Sequence, residues 1–127
     1  MQISLQVFLA FLTLMSDWDR FRGPNGSGVN EAQGLPTEFG VDKNMRWRVA
    51  LPPGHSSPIL VGDRIFLTAY EGDKLLTFSL ERATGKILWH TWMPVLPTNG
   101  AQTFLLDGFQ FIMIAAQDTV YAYTLNR

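Results

Sequence analysis

Few residues in this chain are equipped for chemistry. His55 and His90 are the only imidazoles, and the 127 residues contain no cysteine, which removes disulfides, thiol catalysis, thiolate metal sites and a lipid anchor through Cys. His55-Ser56-Ser57 sets a base beside two hydroxyls, the residue types of a Ser–His hydrolase. Neighbours on an extended segment point to opposite sides, however, so the pair cannot hydrogen-bond as nucleophile and base. His90, between Trp89 and Trp92, reads as a strand position rather than a metal ligand. Asp63, Asp73, Asp107 and Asp118 fall in short polar breaks, where a carboxylate satisfies backbone donors. Gly23, Gly26 and Gly28 lack a preceding strand and a following helix, so they are not a phosphate loop. Trp47, Trp89, Trp92, Phe78, Tyr121 and Tyr123 could line a binding face, but packing between sheets is the default for such a set. Ten Lys/Arg against eleven Asp/Glu give a net charge of −1 without runs of either sign, which argues against nucleic acid and against an electrostatic membrane patch. No catalytic, cofactor-binding or metal-binding residue is expected.

The elements that would position these residues are short. Residues 1–16 carry no charge, and the apolar run Ile3–Met15 is shorter than the ~20 residues a bilayer span needs. It reads as the apolar part of an export signal, ended abruptly by Asp17-Trp18-Asp19-Arg20. Residues 17–43 form an expected extended arm: Phe21–Gly40 holds five of the eleven glycines and no hydrophobic period. From 44 to 51 the chain alternates, with Met45, Trp47 and Val49 opposite Arg46 and Arg48, which predicts a half-buried strand stopped by Pro52-Pro53.

Pro58–Val61, Arg64–Tyr70, Lys74–Leu80 and Lys86–Trp92 then predict a four-stranded meander over 57–93, with hairpins at Gly62-Asp63 and Gly72-Asp73. Thr103–Leu106, Phe109–Ala116 and Thr119–Leu125 predict three more strands over 102–125. The two stretches match each other. Arg64–Ala69 aligns with Gln110–Ala115 at an offset of 46, and Lys74–Leu80 with Thr119–Leu125 at 45, as if one residue were lost in the turn between them. Trp47 and Trp89 lie 42 apart, each five residues before a proline, Pro52 and Pro94. A period of ~40 to 50 residues built from four short strands is that of a β-propeller blade. The expected fold class is therefore all-β: antiparallel four-stranded meanders forming about two blades of an incomplete ring, over 44–127.

Ala83-Thr84-Gly85-Lys86-Ile87-Leu88-Trp89 is the most specific stretch. With Leu80 it resembles the A-x-T-G-x-x-x-W repeat of the PQQ-binding-like β-propellers. That resemblance implies a turn at Gly85 between the third and fourth strands, with Trp89, and Trp47 in the preceding strand, docking between blades. Trp18-Asp19-Arg20-Phe21-Arg22-Gly23-Pro24-Asn25-Gly26-Ser27-Gly28 is similar to an arm found near the mature N-terminus of exported members, and Gly54-His55-Ser56-Ser57-Pro58 to the start of their first full blade. The structural repeat residues are then Ala83, Thr84, Gly85, Trp89 and Trp47. Catalytic members use PQQ, a calcium ion held by oxygen ligands and an Asp base. None of that set can be carried onto this chain, and the lipidated Cys of the outer-membrane assembly lipoproteins is absent.

Closure of a propeller takes at least ~4 blades, on the order of 160 residues, more than this chain supplies. The resemblance therefore implies a truncated or internally deleted member, a ring assembled from several copies, or a two-sheet monomer. A strand at 44–51 could supply the fourth strand missing after Leu125. The functional expectation is a non-catalytic module of a bacterial envelope or periplasm that binds a protein partner or its own copies through open blade faces. The alternative is a fragment of a PQQ- and calcium-dependent dehydrogenase.

Overall fold

The computed structural model describes residues 17–93 and 101–125, so the expectations for residues 1–16 and for Pro94 lie outside the described residues. Among the described residues the protein is all-β apart from a single 3-10 turn, Pro24–Gly26. Strands β1 (Ile59–Val61), β2 (Arg64–Glu71), β3 (Lys74–Glu81) and β4 (Ile87–Met93) form one antiparallel meander in sequence order. Strands β5 (Gln102–Leu106), β6 (Phe109–Ala116) and β7 (Thr119–Leu125) form a second, three-stranded one. Each lies within a residue or two of its expected place, because two-residue turns delimit them. Gly62-Asp63, Gly72-Asp73, Asp107-Gly108 and Gln117-Asp118 each sit between directly paired residues.

This register corrects the repeat. Val61↔Arg64 corresponds to Leu106↔Phe109, and Glu71↔Lys74 to Ala116↔Thr119, so the offset is 45 throughout and no residue is lost. The one-residue difference exchanges faces, since side chains alternate across a strand. With the offset at 45, Leu67, Ala69, Leu76 and Phe78 correspond to Ile112, Ile114, Tyr121 and Tyr123.

The core has two layers. On one face of the four-stranded sheet, Ile59, Phe66, Leu75 and Met93 are buried with Ile112, Ile114 and Ala116 of the three-stranded sheet, and Val61, Trp89, Tyr121 and Tyr123 pack around them. On its other face, Ala69, Leu76, Phe78 and Leu80 are covered by Val49 and Leu51. Strand β3, covered on both sides, is therefore buried along almost its whole length. The layers run head to tail: the segment around Val49 covers the first sheet, and the opposite face of the first sheet covers the second. The two sheets do not surround an axis.

Residues 44–51 depart from expectation. Trp47, Val49 and Leu51 are half-buried and Arg46, Arg48 and Ala50 exposed, so the alternation is present, but the segment joins neither sheet and Met45 is exposed. Alternation reports that one side of an extended segment is covered; it does not require a ladder partner. In the arm, residues 20–28 close into a tight loop: Arg20 O accepts from Gly23 N, and Arg22 O from Gly28 N, at 2.9 and 2.7 Å. Trp18 forms an antiparallel bridge to Leu60 on the outer edge of β1, with both N–H···O distances 2.9 Å.

Candidate interaction surface

The repeat motif forms the turn from β3 to β4. Glu81 N donates to Lys86 O and Gly85 N to Glu81 O, each at 2.8 Å, while exposed Thr84 bonds the Glu81 carboxylate through its hydroxyl and accepts from Lys86 N at 3.1 Å. Ala83 is exposed. Gly85 is buried with φ +73°, a conformation that penalises any side chain, and a Cβ there would stand 2.4 Å from Trp47 Cε3. The Trp47 indole lies flat enough on this glycine that its Nε1 donates to Arg82 O at 3.0 Å. Trp47 thus grips the first sheet from one side, and Trp89 leaves that sheet from the other side to pack among the residues that hold the second. A second tryptophan–glycine pair stands in the arm, where a Cβ on Gly23 would meet Trp18 Cε3 at 2.4 Å.

The remaining polar candidates are occupied by structure. Ser56 Oγ donates to Thr68 O at 3.0 Å and accepts from Thr68 N at 2.8 Å, while Pro53 O accepts from Tyr70 N at 2.9 Å. Together these extend the cover of the β2 edge beyond the end of β1. His55 stacks on Tyr70 with ring centroids 6.2 Å apart, and His90 lies against Phe78 at 5.7 Å. The turn aspartates divide: Asp63 and Asp107 sit at one end of the sheets, Asp73 and Asp118 at the other. No three His, Asp or Glu side chains gather to hold a metal ion among the described residues. Asp19 is paired with Arg20 at 2.8 and 3.0 Å, and these hydrogen bonds hold its carboxyl below the usual range; both are surface groups of the arm. An open cleft of about 870 Å³ lies between the first hairpins of the two sheets, lined by Asp63, Arg64, Phe66, Asp107, Phe109 and Gln110.

Among the described residues the far face of the three-stranded sheet leaves several large apolar side chains exposed. Register places Phe104, Leu106, Phe109, Phe111, Met113 and Val120 on that face. Phe109 is 59% exposed, Val120 61% and Leu106 52%, and Phe104 stacks on Phe111 with centroids 5.2 Å apart. At the 45-residue offset this face corresponds to Ile59, Val61, Phe66 and Leu75, the face of the first sheet that is buried. Strand β7 also ends its sheet, and nothing pairs with its outer edge among the described residues. An apolar face beside an unpaired edge offers both area and main-chain hydrogen bonds to a partner.

The aromatic set for which packing between sheets was the default reading packs that way at most of its positions. Phe78 is buried and Trp89, Tyr121 and Tyr123 pack in the layer between the sheets, whereas Trp92 is 57% exposed with Lys74 Nζ 5.0 Å above its ring. Phe104, Phe109, Phe111 and Val120 were missed. The signal for Phe111 is the run Phe111–Ala116, apolar at consecutive positions, as a strand with two apolar faces must be.

These features define an all-β protein of two head-to-tail antiparallel sheets, the second with one face and one edge open among the described residues. Comparison with protein-family models, with curated proteins and with solved structures finds no match.

Proposed function

We propose that this chain is a non-catalytic interaction module of the bacterial envelope, built from propeller-like repeats and exported by its apolar leader. The observation that carries this reading is the open face of β5–β7 with, beside it, an edge of β7 unpaired among the described residues. The uniform 45-residue repeat, the one-directional stacking and the tryptophan–glycine docking at Gly85 support a blade-like repeat. The structural use of Ser56 and the separation of the turn aspartates favour binding over catalysis.

Co-purification from envelope extract at physiological salt tests the module. A partner retained by the native chain and lost with Phe109→Lys supports it. Absence of any reproducible partner, together with saturable PQQ- and calcium-dependent dye reduction, would overturn it in favour of a quinoprotein fragment. N-terminal sequencing of the expressed chain tests export: removal of residues 1–16 is expected, and Met1 retained in the soluble fraction would contradict it.

A further inference from the structure

We infer that the partner of the three-stranded sheet is a second copy of this chain, whose Met45–Leu51 segment adds to the free edge of β7 as a fourth strand. The inference rests on the interaction-module reading and names the occupant of its surface. Four observations carry it. Among the described residues the first sheet has four strands and the second three, although their first three strands correspond residue for residue at one offset. Within Met45–Leu51, residues Trp47 to Leu51 alternate between half-buried and exposed, and the segment lies outside both sheets. Its Trp47 and Pro52 repeat the spacing of Trp89 and Pro94, and Trp89 lies on a fourth strand. Finally, within one copy the pieces cannot meet. Val49 and Leu51 cover the Leu76/Phe78 face of the first sheet, and β5–β7 lie against its opposite face.

The first sheet supplies the register. Ser79↔Trp89, Thr77↔Thr91 and Leu75↔Met93 become Thr124↔Trp47, Ala122↔Val49 and Val120↔Leu51 when shifted by the two repeat offsets. These positions set Val49 and Leu51 on the same side as the exposed Val120 and Phe109. Strand addition therefore brings the open apolar face over the second copy's first sheet, where Ile65 and Leu67 are only half-buried. Trp47 stays docked on Gly85 of its own copy. The contact is heterologous, so it propagates into a ring or an open chain of copies.

Because the chain has no cysteine, disulfide trapping is clean. Val49→Cys and Ala122→Cys variants are mixed under mild oxidation, with Val49→Cys plus Gln102→Cys as the control, since Gln102 lies on the far strand of the same sheet. The expected result is a cross-linked pair of chains at a rate about tenfold or more above the control. Equal rates, or no cross-link from folded variants, would overturn the inference. Sedimentation velocity supplies a second readout. Val120→Lys and Phe109→Lys alter exposed side chains, so the fold is retained, and each is expected to weaken self-association about tenfold or more. A chain that stays monomeric but binds another protein through Phe109 and Val120 overturns this inference and leaves the module reading standing. Self-association indifferent to both substitutions overturns the inference as well, and removes the assigned surface from the module reading.

Discussion

The two sheets share a strand plan and differ in what surrounds them. In the first, β3 is covered on both sides, Trp18 bridges the outer edge of β1, and Ser56 and Pro53 satisfy β2 beyond it. In the second, Phe109 and Val120 stand open on one face and β7 ends the sheet among the described residues. The same apolar two-faced strands are thus a core in one setting and an interface in the other. What changes between them is the supply of neighbouring layers, since a two-faced apolar sheet is satisfied only when stacked from both sides.

The strongest way to break this comparison is to remove the layer that completes the first sheet. Gly85→Ala combines a side chain at φ +73° with a Cβ driven into the Trp47 ring, and is expected to destabilise by about 2–4 kcal/mol, read from the urea midpoint at unchanged slope. Trp47→Ala should cost about 2–3 kcal/mol, below the range for a fully buried aromatic because Trp47 is half-buried. The double variant should cost clearly less than the sum, because both changes abolish one contact. Additive losses would show that the indole and the glycine act independently.

A smaller effect is expected where the layers meet. Thr77 and Ser79 carry buried hydroxyls without a hydrogen-bond partner among the described residues. Thr77→Val keeps the shape and removes the unsatisfied group, so it should stabilise by about 1 kcal/mol in the same urea measurement. A loss of similar size would show that the hydroxyl has a partner in solution. Smallest is an exchange between turns. Gln117 adopts φ +55° at the position equivalent to Gly72, φ +59°, so Gln117→Gly should stabilise by about 0.5–1 kcal/mol and Gly72→Gln destabilise by about as much. Equal and opposite shifts in thermal midpoint would show that the two hairpins are energetically equivalent.

How much of this was legible follows from the kind of signal each feature leaves. The seven strands were legible because Gly–Asp, Asp–Gly and Gln–Asp breaks bracket them. The relative register of the repeats was not. Phe109–Ala116 is apolar on both faces, so sliding it by one residue against Arg64–Ala69 costs nothing in composition, and only the lengths of the paired turns decide it. Trp47 and Gly85 were both marked as repeat residues, but their mutual contact was not, because a docking pair 38 residues apart leaves no local pattern. The segment around Val49 announced its burial and concealed its lack of a strand partner. The open face was legible only in retrospect, as an excess of apolar residues in β6 beyond what one core needs.

The central claim is that the second sheet is an uncompleted member of the same stack. Hydrogen exchange followed strand by strand at increasing protein concentration tests it most directly, because β3 and β7 occupy equivalent places. The expected result is concentration-independent protection of β3, with the outward amides of β7 exchanging freely in dilute solution and becoming protected as copies add to its edge. Protection of β7 that equals that of β3 at every concentration would contradict the claim.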